Sequence, residues 1–355
     1  MNNKQRTNKA FTLIELVVAV ALLAMIVAFS GVVFRVSIDS YRTATANAEI
    51  MQKLRAITGQ LDTDFKAIRP DAPLLIWFEQ DDPNRYDQVM FFATGDFAST
   101  QLYDYDDIVR FEIPADTGEP VRGNVARIFY GQAYSLDPTD NTMKYPDELK
   151  AEDRILARRQ HILTADEELV EWPNVNMSDF SDGSTFEDKD KYNECYEHDS
   201  LSLAQWKTID GDAYRDKIIP TCFASRPLID MDDPNTFHKL MCEGVGSFTI
   251  QWAYWDDDFD DKTFRWYPSD DPAGDNSEPS HFDLIGKDMF GVYFNIPGTA
   301  TITDWEPVGN IEYDTGDKFP SDFYPAALKF TFRLYDSKGV IKEGREFTHI
   351  VYLRN

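Results

Sequence analysis

The chain has 355 residues, with 62 Asp and Glu against 35 Lys and Arg, for a formal net charge of −27. At 43% hydrophobic and 14% aromatic it can build the core of one large domain or two ordinary ones, which excludes a disordered acidic tail. The charge argues against nucleic acid as a partner, because phosphate binding needs clustered Lys and Arg, and it suits a solvated outer surface, divalent cations or a basic partner.

The chain starts with a basic leader, Lys4, Arg6 and Lys9, followed by Ala10-Phe11-Thr12-Leu13-Ile14-Glu15-Leu16. Leu16–Phe34 then runs for 19 residues without a charge, enough helix to cross a hydrocarbon core of about 30 Å. A removable signal peptide has a shorter apolar core, roughly 7–15 residues, and then a small-residue cleavage site. Here no Ala-x-Ala followed by a polar turn closes the run. The Glu15 carboxylate at its mouth needs a reason, because charge in such a segment is expensive and usually paired. The positive leader should stay cytoplasmic, which puts the chain after Phe34 outside, periplasmic or extracellular.

The helical pattern continues past Phe34. Ile38, Tyr41, Ala48, Met51, Leu54, Ile57, Leu61, Phe65 and Ile68 recur mostly at steps of three, four or seven, one apolar stripe with Asp39, Arg42, Glu49, Lys53, Arg55 and Asp62 between. Pro70 disfavours helical geometry before it, so the spacing predicts an end by Arg69. A helix over Phe11–Arg69 would be about 90 Å long at 1.5 Å per residue.

Strand patterns follow at Leu74–Phe78, Gln88–Ala93, Ile108–Ile113 and Ala126–Tyr130. Between Gln132 and Ser225 the pattern weakens: a helix is expected within Pro146–Thr164, an acidic loop over Asn174–Asp199 and a short helix over Leu201–Trp206. Residues 132–225 therefore read as a surface insertion, with a partner-binding subdomain as the alternative. Regular structure returns with a turn and an alternating strand over Leu240–Trp255, acidic loops over Asp256–Lys262 and Pro268–Pro279, and a strand over Phe290–Ile296. The end reads as a hairpin, Tyr324–Tyr335 and Arg345–Leu353 joined through Asp336-Ser337-Lys338-Gly339. Cys195, Cys222 and Cys242 leave three pairings or free thiols open.

The segment Lys9-Ala10-Phe11-Thr12-Leu13-Ile14-Glu15 and the apolar run behind it resemble the processing site of type IV prepilins and type II secretion pseudopilins. The resemblance implies cleavage by prepilin peptidase between Ala10 and Phe11 and N-methylation of Phe11. Ala10 stands where the family most often has Gly, so slower cutting is expected. It also implies that Glu15 pairs with the free amine of a neighbouring subunit during assembly. The order of the later segments is similar to the J-type minor pseudopilin of type II secretion and to the W-type minor pilin of type IV pili. These include Tyr86–Phe92, the Cys242-Glu243-Gly244-Val245 turn, and Tyr324–Phe330 leading into the hairpin.

The resemblance divides the chain into a cleaved leader (1–10), the transmembrane half (11–34) and amphipathic half (35–69) of a spine helix, and a β-rich body (70–355). The expected fold is α+β, a long helical spine on an antiparallel-β-rich body. The expected function is that of a structural tip subunit of a type II secretion pseudopilus. It would sit in the bacterial inner membrane as a single-pass protein, partnered by major and minor pseudopilins and by secreted cargo. The alternative is a minor pilin or adhesin of a type IV pilus.

No enzyme is expected. Gly-x-Ser-x-Gly, a Walker loop and His-Glu-x-x-His are all missing, and the five histidines are scattered without ligand spacing. Calcium is the cofactor candidate, because it takes six to eight oxygens from flexible acidic loops. Asp256, Asp258, Asp260 and Asp261 form the densest cluster; Asp261 and Tyr267, where an EF-hand has Gly and Glu, exclude that motif. A merely solvated loop is the competing reading. Trp252, Tyr254, Trp255, Trp266 and Tyr267 flank it and are expected to pack in the core, with a binding surface as the alternative.

Overall fold

One helix dominates the architecture: α1, Leu13–Lys66, 54 residues and about 80 Å long. Thr12 caps it with a full capping box, the Thr12 hydroxyl accepting from the Glu15 N–H at 3.3 Å while the Glu15 carboxylate accepts from the Thr12 N–H at 2.9 Å. The helix stops at Lys66, short of the expected Arg69, because the sheet claims the next residues. Arg69 N–H donates to the Phe92 carbonyl, Thr94 N–H donates to that of Ala67, and Ile68 bridges Ala93. Residues 12–81, 84–103, 119–137, 142–163, 197–199, 202–207, 225–231, 236, 239–256, 263–267, 289–294, 303–304 and 324–353 are described in this computed structural model.

The body is a mostly antiparallel sheet of 12 strands among the described residues. Its main path passes through β1 (Leu74–Asp81) and β2 (Asn84–Tyr103). β3 (Glu119–Gln132) runs beside β2, and β6 (Ile155–Leu163) beside β3. Further on, β10 (Val245–Asp256) pairs with β14 (Ala327–Leu334), which pairs with the edge strand β15 (Arg345–Tyr352). β2 and β10 meet in parallel at a single bridge, Phe248 to Tyr86, and the Asp87 carboxylate accepts the Ile250 N–H at 2.6 Å there. On the far side, β12 (Met289–Phe294) pairs with β1, and β13 (Thr303–Asp304) with β12. β9 (Leu240–Glu243) and β7 (His198–Asp199) flank β6, and β11 (Thr263–Tyr267) pairs with β10. A small second sheet holds β4 (Tyr134–Leu136), β5 (Met143–Lys144) and β8 (Leu228–Ile229).

Burial on both faces explains the continuous apolar run in β2. Val89, Phe91 and Ala93 face the α1 side, with Ile57, Leu61, Phe65, Ile128 and Phe330. Met90 and Phe92 face the other side, with Trp77, Phe129 and Trp206; Trp206 comes from the short helix α2, Leu203–Lys207. α2 lies close to where the sequence placed it.

The helix expected within Pro146–Thr164 is corrected. That stretch makes two single 3-10 turns, Pro146–Glu148 and Ala151–Asp153, and then β6. Burial of Ile155–Ala157 and of His161–Leu163 makes a two-sided strand, which sparse apolar spacing imitates as a helix. The main sheet thus passes through residues 132–225. The terminal hairpin forms as expected: Gly339 N–H donates to the Asp336 carbonyl at 3.2 Å to close the Asp336–Gly339 turn, within a ten-residue connection, 335–344, where Gly339 (φ +61°) and Gly344 (φ +65°) supply left-handed backbone. Cys242 is a buried free thiol whose pKa burial pushes up to about 11; Cys195 and Cys222 lie outside the described residues, as do Ile108–Ile113 and 268–279.

Candidate assembly face on the spine helix

The helix has two environments. Residues 12–45 are exposed, and the first buried one is Ala46. Leu13–Thr45 therefore projects about 50 Å beyond the docked part at 1.5 Å per residue. Its large apolar side chains, among them Leu13, Phe29 and Phe34, are more than half exposed. A surface of that extent on a helix marks a membrane or a protein partner, and the segment is long and apolar enough to cross a membrane.

The docked half runs from Ala46 to Lys66. Its buried stripe is Ala46, Ile50, Ile57, Leu61 and Phe65, with Leu54 partly covered. Of the residues expected in the stripe, Ile38 and Tyr41 lie in the projecting half, and Ala48 and Met51 are exposed on the docked half beside the buried face of Ala46, Ile50 and Ile57. Phe65 is the anchor, stacked on Phe91 with ring centroids 4.2 Å apart and tilted on Phe330 at 5.4 Å.

Three polar pins fix the helix to the sheet. The Asp64 carboxylate is buried, accepts from Arg158 Nε at 2.6 Å, from its Nη2 at 3.1 Å and from Gln60 at 3.1 Å, and takes the Tyr130 hydroxyl as well. Burial, and then the Asp64 charge, push the Tyr130 hydroxyl well above its ordinary range. Burial works against the Arg158 charge, and Asp64 outweighs it and raises the Arg158 pKa. The second pin is Asp62, 2.9 Å from His349 on β15. The third joins the helix to the 335–344 loop. Glu49 accepts from the Ser337 N–H at 2.8 Å and its hydroxyl at 3.1 Å, and Lys53 donates to the Tyr335 carbonyl at 2.8 Å. The loop itself is organised by Asp336, which accepts from the N–H groups of Ile341 (2.8 Å), Val340 (2.9 Å) and Lys338 (3.3 Å). Burial resists ionisation of Asp336 and Glu49, but these backbone donors, and Lys53 at Glu49, hold both carboxyls below their usual range.

Asp64, Arg158, Tyr130 and Asp336 are not among the sequence-predicted site residues. Asp64 could have been found: it sits three residues after Leu61 and seven after Ile57, a charge inside an apolar stripe. Glu15 lies in the first turn of α1, and both Thr12 donors fall on its Oε2, the hydroxyl at 3.0 Å. Ala10 and Phe11 lie outside the described residues. Of the calcium candidates, Asp258, Asp260 and Asp261 also lie outside them, and Asp256 is described only as the end of β10. Among the described residues, no group of three or more His, Cys, Asp or Glu could hold a metal ion. Trp252 is in the core as expected, and Lys329 Nζ lies 5.0 Å from the Trp266 ring centroid.

A long amino-terminal helix, free over its apolar half and docked over its second half on a mostly antiparallel sheet, is the α+β pilin-like fold, whose class is structural. The family model for the prokaryotic N-terminal methylation motif matches residues 5–31, so the chain carries the motif of type IV pilin-like proteins. Proteins with this motif are processed by prepilin peptidase and assemble with pilins, and motif and apolar helix together point to an inner-membrane-anchored prepilin. No curated protein and no solved structure matches the chain.

Proposed function

We propose that this chain is a minor pseudopilin, a structural subunit near the tip of a type II secretion pseudopilus. In this reading, prepilin peptidase cuts between Ala10 and Phe11 and the new Phe11 amine is methylated. The body then stays outside the inner membrane and contacts sibling minor subunits and cargo. The observation that carries the reading is the set of exposed apolar helix residues beginning directly behind Glu15.

Glu15 serves assembly by offering its carboxylate to a neighbour's amine. Both Thr12 donors fall on Oε2, and among the described residues Oε1 has no partner, which supports this reading. In a low-dielectric setting such a pair must offset the desolvation of both charges, which close geometry allows. The test is mass spectrometry of the mature amino terminus from native membranes, with Glu15→Ala beside the wild type. A methylated Phe11 is expected in both, with filament incorporation impaired in the variant. A first residue beyond Phe34 would refute the reading, and normal incorporation of Glu15→Ala would remove the pairing role.

A further inference from the structure

The apolar run ends at Phe34, yet the helix first meets the body at Ala46. Between them the helix and the 335–344 loop enclose an open groove of about 670 Å³. Phe34, Ile38, Tyr41 and Arg42 line it from the helix, and Lys338 and Val340 from the loop.

The charges in this groove are divided unevenly. Its carboxylates are spent inside the chain: Glu49 on Ser337 and on Lys53 at 3.1 Å, and Asp336 on three loop N–H groups. Its cations are not: among the described residues, neither the Arg42 guanidinium nor the Lys338 ammonium has a hydrogen bond or an ion pair; Lys338 bonds only through its backbone N–H. A chain of net charge −27 thus presents two uncommitted positive groups beside an apolar wall, close to the end of its membrane-length segment.

The heights agree with a lipid surface. Arg42 lies eight residues past Phe34, about 12 Å along the axis at 1.5 Å per residue. The polar layer on each side of a bilayer is about 5–8 Å thick, from a hydrocarbon core of about 30 Å and a total of about 40–45 Å. Arg and Lys side chains reach down toward that layer, and Tyr prefers it.

We propose that the groove seats an anionic phospholipid of the outer leaflet, its phosphate between Arg42 and Lys338 and its upper acyl chain against Phe34 and Ile38. The contact would give the body a second hold on the membrane and set its height until the subunit is extracted into a filament. Continuity with the membrane-length segment favours lipid over a second copy of the chain. The proposal rests on the membrane-anchored reading above.

The test reconstitutes the full chain in nanodiscs of equimolar phosphatidylglycerol and phosphatidylcholine and reads, by native mass spectrometry, the lipids the protein carries out. Arg42→Gln/Lys338→Gln is compared with the wild type and with Arg122→Gln/Lys150→Gln, exposed cations elsewhere on the body. Circular dichroism checks that all three are folded. The expected result is about fivefold enrichment of phosphatidylglycerol on the wild type and the control, falling to the bulk ratio in the groove variant and weakening with salt. Enrichment kept by the groove variant, or missing from an inserted wild type, overturns the proposal, as does a lipid-free dimer lost in the groove variant. A wild-type chain that does not insert at all refutes the anchored reading itself.

Discussion

Asp64→Ala is the sharpest test of how the spine is held. The substitution removes the only acceptor described for the Tyr130 hydroxyl and the charged partner of the Arg158 guanidinium, which keeps a 3.4 Å contact to Gln160. Tyr130 is fully buried, so its orphaned hydroxyl costs about 1–3 kcal/mol. The Arg158 side chain is 21% exposed, so its charge can turn partly toward water. That places the total near the lower end of the range for breaking a buried pair, about 3–4 kcal/mol. Replacing all three groups by apolar ones, Asp64→Leu/Tyr130→Phe/Arg158→Met, leaves no orphan and should return most of that loss. Urea unfolding of the full chain in detergent, followed by tryptophan fluorescence, measures both. Asp62→Ala, which breaks the half-exposed pair with His349, is the reference at about 1 kcal/mol or less. If Asp64→Ala costs no more than Asp62→Ala, the cluster is not a buried pin and the reasoning fails.

Phe65→Ala empties the stacked site against Phe91 and Phe330 and should cost about 3–5 kcal/mol, with hydrogen exchange rising along Ala46–Lys66; protection unchanged there would mean that the polar pins hold the helix alone. Acid should free the 335–344 loop. Asp336 and Glu49 have folded-state pKa values below their unfolded ones, so their contribution is present above the unfolded values, near 4, and is lost as pH falls through the folded ones. Limited proteolysis at Lys338 and Lys342 should accelerate below about pH 4 and do so much less in Asp336→Asn; equal acceleration in the variant would put the acid sensitivity elsewhere. Calcium at the acidic segment Asp256–Asp261 remains a proposal; at a hundredfold excess over its dissociation constant it should stabilise the chain by about 2.7 kcal/mol. A chelator-sensitive melting shift, lost in Asp258→Asn/Asp260→Asn, is the expected reading, and no shift removes the ion.

What the sequence made legible is what a single period carries. The charge-free run behind Glu15 and the 3.6-residue stripe over Ile57, Leu61 and Phe65 gave the spine, and the two-residue alternation of Ala327–Leu334 gave its strand. Three things were hidden for physical reasons. β6 is buried on both faces, so alternation is lost and Ile155, Leu156 and Ile162 mimic a helix. The helix end at Lys66 depends on carbonyl and amide partners from β2, far away in sequence until the sheet forms. The site itself is assembled from separations no local pattern can encode: Asp64 meets Arg158 across 94 residues, and Glu49 meets Ser337 across 288.

Those separations bear on how the subunit can work. In the proposed role the spine would be pulled along its axis as it left a bilayer for a filament, and its apolar dock alone would resist sliding weakly, because hydrophobic contact is non-directional. The Asp64 and Glu49 pins are directional and lie about 15 residues apart, roughly 22 Å along the helix. They tie it to different elements of the body, β3 and β6 through Asp64 and the β14–β15 loop through Glu49. Sliding by even one turn would strand the buried Tyr130 hydroxyl without its acceptor and part Arg158 from its carboxylate, so the register of body on spine is set by polar contacts, which in the proposed role would let the exposed half of the helix pass from lipid to neighbouring spines while the body keeps its place.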